Sequence, residues 1–179
     1  IQNGHNYHLY TYQPIKNVPD GVLIKDANEI LPEKDIFRYE NGSVSAFSNV
    51  FRYKLLFDKG GYWVDTDLVC IKKLPFKEND IVFSSEPNNA YNKSIPNVGL
   101  IKIPKNNKII LEGIKILYDL KKKILNGQVT WGVGPNTIKK INENNKLEGK
   151  ILDWRGICSC SWNDYKSIFY PNKYKFGNN

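Results

Sequence analysis

The chain has 179 residues, of which 41% are hydrophobic and 25% charged, and it carries a net charge of +8. This length suits one domain with a real core, the composition excludes a disordered chain, and no apolar run approaches the ~20 residues of a membrane helix. The lysine excess reads first as a solvated surface, and second as attraction for anionic ligands such as nucleotide sugars or for a membrane surface; no arginine-rich motif or aromatic–basic ladder supports nucleic acid.

Tyr7 to Tyr12 alternates as a strand does and stops at Pro14, and Val22 to Lys25 predicts a second short strand. Asp26-Ala-Asn-Glu29 has capping-box spacing for a short helix that ends near Pro32. The strongest helix runs from Ser43 to Lys59. Ser43 or Ser45 can cap it, Phe47, Val50, Phe51 and Leu55 recur at helical spacing, and Gly60-Gly61 stops it. A strand carrying Asp65 and Asp67 follows at once, continuing as Val69 to Ile71 before a turn at Pro75. Ile81 to Ser84 and Val98 to Ile103 are further strands, Ile109 to Leu125 is an amphipathic helix, and Asn136 to Asn144 is a short helix after Gly134-Pro135. From Leu152 onward the chain is rich in aromatics, Pro and Asn, without a long regular element. Strands alternating with helices indicate an α/β sandwich on a mostly parallel or mixed sheet, with no internal repeat or domain boundary.

Chemistry concentrates where the long helix meets the strand after it. Ser45, Ser48, Asn49 and Arg52 lie at i, i+3, i+4 and i+7, one face of a helix whose other faces are apolar. A polar stripe on a buried helix needs partners, which a polyhydroxyl ligand would supply; a solvated face, or Arg52 paired internally with an acid, would also account for it. The strand Gly61-Tyr-Trp-Val64 runs into Asp65-Thr66-Asp67, and on a regular strand both carboxylates would share a face. A D-x-D tripeptide alone is a weak signal, since a solvated turn or an N-cap produces it too. Here Leu68-Val69-Cys70 is apolar after it as Tyr62-Trp63-Val64 is before it, which argues for burial. Two buried carboxylates repel unless a cation neutralises them, so a divalent metal gripping a diphosphate is the economical reading.

The block from Ser45 to Asp67, Ser-Ala-Phe-Ser-Asn-Val-Phe-Arg-Tyr-Lys-Leu-Leu-Phe-Asp-Lys-Gly-Gly-Tyr-Trp-Val-Asp-Thr-Asp, resembles the signature of the DXD-containing sugar transferases of glycosyltransferase family 32. That group includes yeast-type initiating mannosyltransferases and capsular polysaccharide transferases; the large clostridial glucosylating toxins are more distant in fold and motif. Weaker similarity extends to His8-Leu-Tyr-Thr-Tyr12, Ile95-Pro-Asn-Val-Gly99 and Gly132-Val-Gly-Pro135.

The resemblance implies a GT-A fold, a Rossmann-like mixed sheet flanked by helices. It also implies a nucleotide-sugar donor, a Mn²⁺ or Mg²⁺ ion, and hexosyl transfer with retention to a glycan or to a protein- or lipid-linked acceptor, as in polysaccharide biosynthesis. A UDP-sugar is the first expectation and GDP-mannose the second. By position, Asp65 and Asp67 are the candidate catalytic residues: Asp67 would ligate the metal, and Asp65 would bind donor hydroxyls and help hold it. Arg52 would reach the donor sugar, and Ser48 would lie near the nucleotide. Asn49 stands where relatives carry an Asp; it can hydrogen-bond a sugar hydroxyl but brings no charge. Residues 1–179 read as a single catalytic domain that lacks the first strand and the C-terminal closing segment of its relatives, consistent with a chain that begins at Ile1 and contains no Met.

Among other residues, Tyr10 and Tyr12 lie near the base or simply pack their strand. Trp63 reads as core, Trp131 as a candidate for lining the acceptor side, and Asn97 as a turn former or sugar contact. The three cysteines are an odd count, pointing to structural thiols and a reducing, cytoplasmic setting; Cys158-Ser-Cys160 lacks a second Cys/His pair for a metal, and His5 and His8 sit at the opposite end of the chain. Two rival functions stay open. One is a non-catalytic nucleotide-sugar or carbohydrate binder with a decayed transferase core. The other is a Mg-dependent phosphatase of the haloacid-dehalogenase type, which would place its D-x-D on a first strand and follow it with an acidic pair, neither of which is found here. Peripheral membrane contact is compatible with the charge.

Overall fold

A computed structural model describes residues 1–88, 93–145, 147 and 150–157. In chain order the elements are β1 (Tyr7–Thr11), β2 (Val22–Asp26), α1 (Ser45–Lys59), β3 (Gly61–Val64), β4 (Val82–Asn88), β5 (Lys93–Ile103), α2 (Lys108–Leu125) and α3 (Val133–Asn145). Short 3₁₀ turns occupy Ala27–Glu29, Glu33–Asp35 and Trp154–Gly156.

The mixed α/β architecture matches the expected class, but the described strands form two sheets rather than one. β1 and β2 pair in parallel from Tyr7↔Val22 to Thr11↔Asp26. β3, β5 and β4 form an antiparallel trio with β5 in the middle, and Phe83 makes an isolated parallel bridge to Ile151. Helix α1 joins the two sheets by packing on both. Phe51 meets Tyr10 of β1 and Trp63 of β3 edge to face, and Phe47 packs on Tyr12. Such offset aromatic pairs add to area burial, so this seam anchors the helix on the sheets.

The rest of the core lies between α1, α2, α3 and the trio. Tyr53, Leu56, Ile101, Ile103, Ile110, Leu117, Ile138 and Ile141 are all essentially inaccessible. Helices α1 and α2 approach closely at Gly113, where an added Cβ would lie 2.4 Å from the Tyr53 ring.

Local sequence accounts for most element ends. Asp26 caps the first 3₁₀ turn by accepting from the Asn28 N–H at 2.8 Å, and Asn107 caps α2 through the Ile109 N–H at 2.9 Å. At the start of α1 the cap position falls to Val44, and the Ser43 hydroxyl accepts from the Ser45 N–H instead. The helix stops at Gly60, with φ +70° and a backbone so close to Lys105 that a Cβ would lie 2.6 Å from its nitrogen. Helix α3 begins earlier than expected, with Gly134 and Pro135 in its first turn, where proline loses no helical hydrogen bond.

One expected strand does not form. Residues Val69 to Ile71 are irregular, with Val69 84% and Ile71 77% exposed. The β3–β5 ladder ends at Val64↔Leu100, and the chain then turns, the Leu68 N–H returning to the Asp65 carbonyl at 3.1 Å. Cys70 is an exposed free thiol rather than a structural one. Cys158, Cys160 and the lysine-rich tail lie outside the described residues. No helix among the described residues is long and apolar enough to cross a membrane.

Candidate functional site

Asp65 is the first residue past β3, and three groups hold it. Its own N–H donates to the Gly99 carbonyl at 2.8 Å, continuing the ladder by one rung. Its Oδ1 accepts from Arg52 Nη2 at 2.9 Å and from the indole Nε1 of Trp63 at 2.6 Å. Arg52 reaches across from α1, donates its Nη1 to the Val98 carbonyl at 2.8 Å, and stacks its guanidinium 4.7 Å from the centre of the Trp63 ring. Only 5% of Arg52 is exposed, and its Nε has no partner.

The electrostatics follow from that burial. Desolvation pushes the Asp65 carboxyl up from its ordinary value, against the pull of Arg52 and the Trp63 hydrogen bond, and the Asp67 charge adds to the rise. Burial likewise lowers Arg52, with Asp65 opposing. Both shifts run toward the neutral forms although the groups attract each other. The shape of the contact says they stay ionised: a guanidinium does not deprotonate in proteins, and the side chain of Asp65 keeps a third of its surface in solvent.

The two carboxylates of the D-x-D are therefore not equivalent. Asp65 is half-buried and already neutralised, while Thr66 and Asp67 are exposed on the turn. The expectation of two carboxylates sharing one strand face within an apolar environment is corrected here. Pairing ends with the Asp65 N–H bond to Gly99, the backbone turns, and Val69 and Ile71 face solvent while Leu68 is half-buried.

The donor set nevertheless fits a hard divalent ion. With both nitrogen donors on Oδ1, Asp65 Oδ2 lies toward Gly99, and the exposed Asp67 carboxylate sits two residues on. No group of three or more His, Cys, Asp or Glu side chains gathers to hold a metal among the described residues. Two carboxylates leave most positions of an octahedral shell to phosphate oxygens and water, the usual arrangement for Mg²⁺ with a nucleotide.

The polar stripe of α1 divides in two. Arg52 and Asn49 are buried, at 5% and 8% exposure, while Ser45 and Ser48 are half-buried. Asn49 donates its Nδ2 back to the Ser45 carbonyl at 2.9 Å. Its Oδ1 has no partner and is packed so tightly against the start of α3 that a Cβ on Gly134 would come within 2.7 Å. Tyr10 and Tyr12 pack on Phe51 and Phe47, and the Tyr12 hydroxyl donates to the Leu31 carbonyl at 3.0 Å. Burial raises Tyr10, with Glu29 adding to the shift. Trp131 is 69% exposed.

Trp63 is the site residue that the sequence reading misses by assigning it to the core alone. It packs against Phe51, as expected, and also positions Asp65. The signal available was its place two residues before Asp65, on the same strand face. The carbonyls of Val98 and Gly99 had no side-chain signal at all.

Residues 11–90 match the family described as a glycosyltransferase sugar-binding region containing a DXD motif. Among solved structures, one titled PaToxG Glycosyltransferase superposes with a TM-score of 0.51 at 19% sequence identity, over 73% of this chain and 50% of that one. This chain thus spans half the length of that structure, and the likeness is one of fold. Among curated proteins, none matches the sequence. Residues 11–90, with Asp65-Thr66-Asp67 inside them, are thus similar to a glycosyltransferase DXD region, and the α/β scaffold is consistent with a GT-A-like fold.

Proposed function

We propose that the chain is the core of a retaining, metal-dependent sugar transferase that takes a nucleotide-sugar donor, a UDP-sugar first and GDP-mannose second, and a glycan or other hydroxyl acceptor. One observation carries the reading: at the carboxyl end of β3, within the matched region, Asp65 is fixed by Arg52 and Trp63 while Asp67 stands exposed beside it. Asp67 and Asp65 Oδ2 are the groups that would hold a Mn²⁺ or Mg²⁺ ion. Such an ion, when bound, offsets the negative charge that develops on a departing nucleoside diphosphate.

The chain's own residues supply orientation. Arg52 and Trp63 keep Asp65 ionised and aimed, so the approaching diphosphate meets a carboxylate that does not have to reorganise. Ser48, half-buried on the same helix face, would lie near the nucleotide. A nucleophilic side chain is not required, since a departing phosphate can assist attack of the acceptor on the same sugar face.

A second reading draws on a different observation. Both Nη atoms of Arg52 are committed to protein, and Asn49 is buried against Gly134, so neither reaches outward for a sugar in this arrangement. That favours a nucleotide-sugar binder without turnover. Isothermal titration of UDP and GDP with Mn²⁺ and with EDTA tests the site, and a hydrolysis assay of the matching sugars separates the readings. Binding of one nucleotide only with Mn²⁺, together with slow sugar release, is the expected result. Binding without any release would favour the second reading, and no metal-dependent binding would overturn both.

A further inference from the structure

Strands β4 and β5 pair evenly at Val82↔Lys102 and Phe83↔Ile101, then resume at Ser85↔Pro96. Ser84 alone on β4 therefore faces residues 97–100 of β5, a wide bulge beside the candidate site. The bulge is closed from both sides. Ser84, fully buried, donates its hydroxyl to Asn97 Oδ1 and accepts the Leu100 N–H at 2.9 Å. The same Asn97 Oδ1 accepts the Gly99 N–H at 3.0 Å, a turn of the kind asparagine makes with the backbone two residues on.

Within that turn lie the two carbonyls the site uses. Val98 C=O receives Arg52 Nη1, and Gly99 C=O receives the Asp65 N–H, each at 2.8 Å. The side-chain bond from Arg52 to Asp65 then closes a ring of contacts through α1, β3 and β5. Both the main chain and the carboxylate of Asp65 are thus referred to the bulge.

We propose that Ser84 and Asn97 act as a clip that sets the shape of this bulge, and that Asn97 is a positioning residue for Asp65 rather than a sugar contact. The clip itself stands on geometry alone; only its consequence for donor binding rests on the function proposed above.

The test reads Trp63 directly. In a ¹H–¹⁵N correlation spectrum of the full chain, the Trp63 indole N–H, assigned by its loss in Trp63→Phe, is expected downfield because it donates to a carboxylate. Asn97→Ala and Ser84→Ala should each move it toward the position of an exposed indole. Asn97→Asp, which keeps the Oδ1 acceptor and the turn, should hold it near its original place. Asn107→Ala removes the cap of α2, far from the bulge, and should lower the melting temperature without moving the Trp63 signal. In parallel, Asn97→Ala should weaken Mn²⁺-dependent nucleotide binding by about tenfold, the lower range for partners that orient a metal ligand.

An Asn97→Ala chain that melts earlier but leaves the Trp63 resonance unmoved would overturn the clip. Should Asn97→Ala fail to fold, Ser84→Ala reads the same resonance with the turn-forming side chain left in place. A wild-type chain that binds no nucleotide would sink the donor reading, while the Trp63 arm would still decide the clip.

Discussion

Arg52 and Tyr53 are neighbours on α1, both almost fully buried, and they bury for opposite reasons. Arg52 is a polar group surrounded by partners from distant segments: a carboxylate, a carbonyl and an indole face. Tyr53 turns the other way, into α2, where its ring fills the space above Gly113 and its hydroxyl finds no partner. One side of the helix organises a site and the other packs a seam. Burial alone does not tell them apart, since the Arg52 Nε and the Tyr53 hydroxyl both lack a partner; the long-range bonds of the two Arg52 Nη atoms do.

The largest effect that would separate the two sides is on binding. Asp67→Ala should reduce Mn²⁺-dependent nucleotide affinity by about 100-fold or more, at least the loss seen when partners of a metal ligand are removed. Because Asp67 is exposed, the melting temperature should stay where it was. Unchanged affinity in this variant would remove the metal from the reading.

Gly113→Ala attacks the opposite side. The added methyl meets the Tyr53 ring at 2.4 Å and Ile141 at 3.0 Å, so the helices must part. Overpacking of this kind costs about 1–3 kcal/mol, to be read from chemical denaturation, and nucleotide affinity below the transition should be unaffected. A parallel loss of binding would mean that seam and site are coupled.

Trp63→Phe is smaller and lies on the site side. The ring contact with Phe51 is kept and one hydrogen bond to a carboxylate is lost, about 1–2 kcal/mol of stability. Tyr53→Phe should be smallest and opposite in sign. Deleting a buried hydroxyl with no partner removes only a desolvation cost, so the variant should be as stable as the parent or more stable by about 1 kcal/mol.

A pH titration sharpens the same contrast. Burial raises the folded-state Asp65 pKa above its ordinary 3.8, with Arg52 and Trp63 opposing the rise. Its contribution to stability is therefore fully present below the unfolded value and declines as pH rises through the folded one. In metal-free buffer the Trp63 indole N–H resonance should titrate with a midpoint above 3.8. A midpoint below that would mean that the pull of Arg52 outweighs desolvation.

Helix α1, its stop at Gly60, the amphipathic α2 and the position of the D-x-D after a short strand were legible in the sequence, because each depends on spacing and on neighbours within a turn or two. The same is true of the cap at Asp26, which acts on an N–H group two residues away. The sequence also placed Ser48, Asn49 and Arg52 on one helix face. Where local pattern met long-range pairing, the pattern failed. The apolar run Val69 to Ile71 reads as a strand, but the chain turns away from β5 between Asp65 and Leu68, and no partner strand receives it.

Only the tertiary structure decided which polar atoms meet. Arg52 contacts Asp65 thirteen residues on and Val98 forty-six residues on, and a carbonyl carries no side-chain signature that would announce its part. Asn97 looks the same in sequence whether it touches a ligand or folds a bulge. Its role becomes visible when Ser84 arrives from another strand, because hydrogen bonds are directional and short, and the chain has to be folded before either condition can be met.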